Sequence, residues 1–228
     1  MGEMTNAKKA LLGASTVILL IVCVAGSFLT RGSFSDVNEA GIDKLAYLSS
    51  PLSSYEFSED KDAVAYVNEQ FESADLIVAC SYTGTRRYSR HAFVSEVEVN
   101  RVLKGSLASD SCVAEVIEPV TVVRDDELGV CLAPDATYIY GAPMMVEGGS
   151  YMLFLRAYKG DGVATRYTFV DSPFSMIRLD GDPCTQGMDE RYLAKDELQT
   201  CSIIVDSEQT GAVYAAAVEE ILNRVSKE

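Results

Sequence analysis

The stretch DLIVACSY, residues 75–82, puts Leu76, Val78, Cys80 and Tyr82 on one side of an extended chain and Ile77, Ala79 and Ser81 on the other. Strand side chains alternate between faces, so a run apolar at both parities is expected of a buried strand. Gly84 is expected to end it. Residues 91–103 alternate more cleanly, with Phe93, Val97 and Val99 on one face and Glu96, Glu98 and Asn100 on the other. That pattern fits a strand with one dry and one wet face.

Working outward, further strands are expected at Cys112–Val123, Tyr138–Met145, Tyr151–Tyr158, Thr165–Val170 and Phe174–Leu179, separated by Gly, Pro and Asp clusters. Many short strands joined by turns argue for a closed barrel or a sandwich. Helices flank this region. Ala63, Val64, Tyr66, Val67 and Phe71 fall at helical spacing, with Ser58 or Asp60 as cap, and a short helix is expected near Val37–Leu48. At the C-terminus Tyr214, Ala217, Val218, Ile221, Leu222 and Val225 form one stripe opposite Glu219, Glu220 and Arg224, an amphipathic helix that should pack on the barrel. The expected fold class is mainly β with flanking α.

Residues 10–29 form one uncharged apolar stretch directly after Lys8 and Lys9. A helix of that length rises roughly 30 Å, the thickness of a bilayer's hydrocarbon core. Lysines on one side and an acidic chain on the other orient it with residues 1–9 in the cytoplasm, a transmembrane helix or signal anchor over 10–30, a stalk over 31–59 and an extracytoplasmic domain over 60–228. Ala25, Gly26 and Ser27 also offer a signal-peptidase cut after Ser27, in which case the domain is secreted. A lipid anchor at Cys23 would need a small residue where Val22 stands. All three alternatives export the domain.

Setting aside Lys8, Lys9 and Arg31 from the 19 basic residues, and Glu3 from the 34 acidic ones, leaves 16 basic and 33 acidic residues in the remainder. A net charge of −17 there repels phosphate backbones and anionic lipid heads, so nucleic acid is not an expected partner. Cys80, Cys112, Cys131, Cys184 and Cys201 all follow the leader, where disulfides persist. Pairing Cys112 with Cys131 and Cys184 with Cys201 closes two short, turn-rich loops, each stabilised by about 3 kcal/mol on the chain-entropy estimate. Cys80 is left over in its apolar strand.

Three phrases together carry a family likeness: SADLIVA at 73–79, VNRVLKG at 99–105 and GSYMLFL at 149–155. Their combination, over residues 73 to about 179, resembles the netrin-like module, the oligonucleotide-binding-type (OB-type) barrel best known from tissue inhibitors of metalloproteinases and also found in exported bacterial proteins. The resemblance implies a small OB-like antiparallel barrel that binds rather than catalyses. Inhibition is not implied, because those inhibitors chelate zinc through a mature N-terminal Cys and here a stalk and an apolar segment precede the barrel.

Candidate chemistry is sparse. Arg86, Arg87 and Arg90 lie beside His91, the single histidine, in the one basic cluster of an acidic domain. These four are the candidate ligand-binding residues, suited to an acidic ligand or another envelope protein. No cysteines have CxxC spacing, no calcium-loop spacing occurs in Asp125–Glu127, Asp180–Asp182 or Asp189–Glu190, and no Gly loop has a phosphate-binding motif, so no metal or cofactor is expected. The phrase LQTC at 198–201 is similar to the Leu-x-Thr-Cys of sortases, membrane-anchored cysteine transpeptidases, which makes a thiol-dependent envelope enzyme or a hydrolase the alternative. That likeness weakens downstream: no Arg follows Cys201 until Arg224, leaving an oxyanion without its cation.

Overall fold

The computed structural model describes residues 41–42, 45–53, 63–89, 91–107, 111–134, 141–158, 166–186, 192–193 and 195–226, together with residues 16, 19–20 and 22–24. The chain divides into two units, Met1–Lys44 and Leu45–Glu228. In the first, residues 16, 19–20 and 22–24 are helical and exposed. Among the described residues no helix is long and apolar enough to cross a membrane, and the span expected over 10–30 lies mostly outside them.

The second unit is mainly β. Its described elements are β1 (Tyr47–Leu48), α1 (Ala63–Ser73), β2 (Leu76–Ser89), β3 (Ala92–Lys104), β4 (Val113–Glu118), β5 (Val120–Asp125), β6 (Gly129–Pro134), β7 (Ser150–Tyr158), β8 (Arg166–Phe169), β9 (Met176–Arg178), β10 (Asp182–Thr185), β11 (Tyr192–Leu193), α2 (Lys195–Thr200), β12 (Cys201–Val205) and α3 (Glu208–Val225). The largest sheet has the order β2-β3-β4-β8-β7-β9, and β2 also pairs with β7, so β2, β3, β4, β8 and β7 form a closed ring. Within that ring only the β4–β8 pairing is parallel. β8 and β9 share one edge of β7, opposite Leu155 and Leu153 respectively. A second sheet runs β11-β1-β6-β5, and β10 pairs with β12 in a parallel ribbon.

Period-two alternation on β2 and β7 explains why both read as continuous apolar runs. Leu76, Val78, Cys80, Tyr151, Leu153 and Leu155 fill one cluster with Val97, Val116 and Phe169. Ile77, Met152 and Phe154 belong to a second cluster with Val67 and Phe71 of α1 and Tyr214, Ala217 and Ile221 of α3. Phe174 links the helices to the sheet, stacked on Tyr214 at 5.4 Å with Tyr66 edge-on at 6.3 Å. The helix α3 starts where Ser207 accepts a hydrogen bond from the Thr210 amide, with Glu208 in its first turn and Arg224 in its last. Arg224 then donates to Asn68 Oδ1 at 2.6 Å and lies over the Phe71 ring, tying α3 to α1.

Several expectations are corrected. Gly84 does not end β2: at φ 87° it forms an irregularity between Tyr82 and Arg86, where the register shifts, and the strand continues to Ser89. The expected strand Cys112–Val123 is two strands, because Pro119 has no amide to donate and splits β4 from β5. Residues 141–146 are not a strand, and 138–140 lie outside the described residues. Tyr47–Leu48 is a strand rather than the end of a helix, residues 37–40 and 43–44 lying outside the description. Residues 45–53, expected as part of a stalk, belong to the second unit, which begins at Leu45 and buries Tyr47 and Leu52. The caps Ser58 and Asp60 lie outside the described residues.

Candidate functional site

The four basic-cluster residues belong to the β2–β3 hairpin, and strand alternation separates them. Thr83 Oγ1 donates to the Glu96 carbonyl at 3.0 Å and accepts from the Thr85 amide, fixing the irregularity around Gly84. Beyond it Arg86 pairs with Ser95 and Arg87 with Val94. Adjacent residues on a strand face opposite ways, so Arg86 points inward and Arg87 outward.

Arg86 is consumed by the interior. Its Nε donates to Glu118 Oε1 at 2.7 Å and to Ser95 Oγ at 3.1 Å, and its Nη2 donates to the Met145 carbonyl at 2.6 Å. The Ser95 hydroxyl donates to Glu118 Oε1, and the Met145 amide donates to Glu118 Oε2 at 2.9 Å. The guanidinium also lies 4.6 Å from the Tyr82 ring centroid. The Glu118 side chain is 1% exposed and that of Arg86 10%, so each charge is shielded from water and answered by the other.

Arg87, by contrast, is on the outer face. Its Nη2 donates to Glu115 Oε1 at 2.8 Å, and Arg166 Nε donates to Glu115 Oε2 at 2.6 Å. Partial burial pushes the Glu115 carboxyl up, but the hydrogen bonds and charges of the two arginines outweigh it and hold the group below its ordinary value. One carboxylate is thus shared by two guanidiniums, and Glu96, directly opposite Glu115 on β3, adds a second carboxylate to the same face.

His91 occupies the tight turn, exposed, at φ 66°, the left-handed region an L side chain enters at a cost. It lies at a small notch of about 80 Å³, lined also by Ile117, Pro119, Val120 and Thr168. Arg90 lies outside the described residues. The structure thus brings Arg87 and His91 to one exposed tip and turns Arg86 away from it.

The cysteine expectations divide. The structure has no disulfide. Cys112 is exposed at the start of β4, its carbonyl accepting from Val99, while Cys131 is buried in β6 opposite Val123, in another sheet; the expected Cys112–Cys131 pair is not brought together. Cys184 and Cys201 lie on the paired strands β10 and β12, Cys201 opposite Asp182 and Cys184 opposite Ile204. Burial pushes the Cys80 thiol up to about 12 and raises that of Cys201, so neither is an activated nucleophile.

The acidic turns serve the fold. Asp125 Oδ1 accepts from the Glu127 and Leu128 amides to close the β5–β6 hairpin. Asp180 accepts from Arg178 Nε at 2.9 Å and, more weakly, from the Ser150 amide, which holds its carboxyl below the usual range. Asp189 and Glu190 lie outside the described residues.

Sequence reading overlooked Glu118, Ser95, Glu115 and Arg166. The first two were detectable by parity: Ala114, Val116 and Glu118 share one face, as do Phe93, Ser95 and Val97, so a carboxylate and a hydroxyl on dry faces demanded a partner. Arg166 carried no such signal, because its approach to Glu115 depends on the parallel β4–β8 pairing. No family model matches this chain, and no curated protein matches it.

Proposed function

We propose that the chain is a membrane-anchored, extracytoplasmic binding module, non-enzymatic, built on an OB-type barrel akin to the netrin-like module. The ring order supports the barrel type. Counting β2, β3, β4, β7 and β8 as first to fifth, the order is 1-2-3-5-4 closing on 1, with the third and fifth strands parallel, as suits a five-stranded Greek-key barrel. The apolar segment after Lys8 and Lys9 and the acidic remainder support the location.

The observation that carries the binding reading is the β2–β3 tip, where a histidine held at positive φ borders an open notch on the face that carries Arg87. The tight turn between Ser89 and Ala92 requires the positive φ and thereby holds His91 at the tip. The partner is another envelope protein, offering acidic side chains that compete with Glu115 for Arg87 and Arg166. A sortase-like enzyme is disfavoured by the raised thiol of Cys201, whose Sγ donates to the Ile203 carbonyl at 3.2 Å.

Photo-crosslinking in intact cells tests this, using a benzophenone amino acid substituted for Thr168, which lines the notch beside His91. One discrete envelope-protein adduct that disappears with Arg87→Glu supports the reading. No adduct, or one indifferent to Arg87→Glu, contradicts it.

A further inference from the structure

The two strands β10 and β12 form a two-stranded parallel ribbon, with Asp182 opposite Cys201 and Cys184 opposite Ile204. Between these pairs the register shifts: Asp182 faces Cys201 but Pro183 faces Ile203, so Ser202 is the extra residue of a bulge. A bulge bends its strand and re-aims the neighbouring side chains. Here the Cys184 thiol reaches back to the carbonyl of Asp182, the residue opposite Cys201, at 3.8 Å, and the Cys201 thiol reaches forward to the Ile203 carbonyl at 3.2 Å, so the two thiols lean toward each other along the ribbon. Within the second unit no other pair of cysteines is so arranged: Cys80 lies inside the ring cluster, Cys112 on the exposed start of β4 and Cys131 on β6.

We infer that Cys184 and Cys201 are a disulfide-forming pair whose bond staples β10 to β12 and closes the segment carrying β11 and α2. Exposure sets the order of the chemistry. Cys184 is half-buried and Cys201 fully buried, so an external disulfide meets Cys184 first. With oxidised glutathione as oxidant, the Cys184 thiolate attacks one glutathione sulfur and releases the first glutathione as thiolate. The Cys201 thiolate then attacks the Cys184 sulfur of that mixed disulfide and releases the second. The protein loses two electrons and two protons; the glutathione disulfide gains both as two thiols. Cys112, exposed but without a neighbour, stops at the mixed disulfide.

The pairing does not depend on the proposed function, and its test separates the two. The purified full-length chain, reduced and folded, is treated with oxidised glutathione, its remaining thiols are alkylated and the digest is mapped by mass spectrometry without reduction. A linked peptide joining Cys184 to Cys201, two hydrogens lighter than its reduced parts, is expected, with Cys80 and Cys131 alkylated after unfolding. Recovery of Cys184 as a glutathione adduct or an alkylated thiol, with Cys201 unlinked, overturns the inference. The same mapping on protein taken directly from cells under thiol block reads the compartment: a pair that links in vitro but is recovered reduced from cells retains the chemistry and removes the exported location.

Discussion

Arg86 and Glu118 are 32 residues apart in the chain and 2.7 Å apart in the fold, on strands separated by β3. Breaking a buried pair strands the surviving charge, so Arg86→Ala is expected to destabilise the domain by roughly 3–5 kcal/mol. The double substitution Arg86→Met with Glu118→Leu should recover only part of that loss: no unpaired charge remains, but the Met145 amide and carbonyl and the Ser95 hydroxyl lose their partners. Urea denaturation midpoints of the two variants against the parent check both statements.

Gly105 ends β3 at φ 80°, and an added Cβ there would lie 2.2 Å from the Asp75 carbonyl oxygen. Gly105→Ala therefore meets both positive φ and a backbone clash at the entry to β2, and is expected to cost at least about 1–3 kcal/mol. Thermal unfolding followed by circular dichroism reads it. Gly129, at φ 74° with nothing near its Cβ position, is the control: alanine there carries the strain without the clash and should cost less.

Stability should fall at both ends of the pH scale for different reasons. The Glu115 carboxyl is held below its ordinary 4.5, so its contribution is complete above that pH and is lost as pH falls through the lower, folded-state value. Glu115→Gln removes this part of the acid dependence. Burial raises the Cys80 thiol from 9.0 to about 12 and the Tyr151 phenol from 10.0 to about 12, so their contributions are complete below pH 9 and are lost as pH rises toward 12. Melting temperatures across pH 3–12 should trace both losses, and Cys80→Ala should flatten the rise of instability that begins near pH 9.

Closing the Cys184–Cys201 loop should stabilise the folded chain by about 3 kcal/mol if constraint of the unfolded state dominates. The urea midpoint of the oxidised protein is then higher than that of the reduced one. Cys201→Ser should abolish the difference, and Cys112→Ser should leave it intact.

Much of the ring was legible because alternation is strong where both faces are covered: Leu76, Val78 and Cys80 do face the ring cluster and Ile77 the helices. The C-terminal helix was equally plain from its stripe, and Tyr214, Ala217, Ile221 and Val225 are buried. Cys201–Val205 escaped notice because all five residues are buried, so no period distinguishes that strand from the helix preceding it. Tyr47 and Leu52 looked like stalk because two-residue strands and single bridges owe their position to distant partners, Leu193 and Val205. The basic cluster was read as one patch although adjacent strand residues cannot share a face. Parity alone would have separated Arg86 from Arg87; it would not have found Met145, whose backbone completes the Glu118 cradle.

Cys112 gives the most direct test of the claim that the β domain stands outside the membrane, because its side chain is exposed and follows the apolar leader. Intact cells carrying the full chain are treated with a membrane-impermeant maleimide, with Cys112→Ser as the blank. The account predicts that Cys112 is labelled in intact cells to the same extent as after lysis; labelling that appears only after lysis would contradict it.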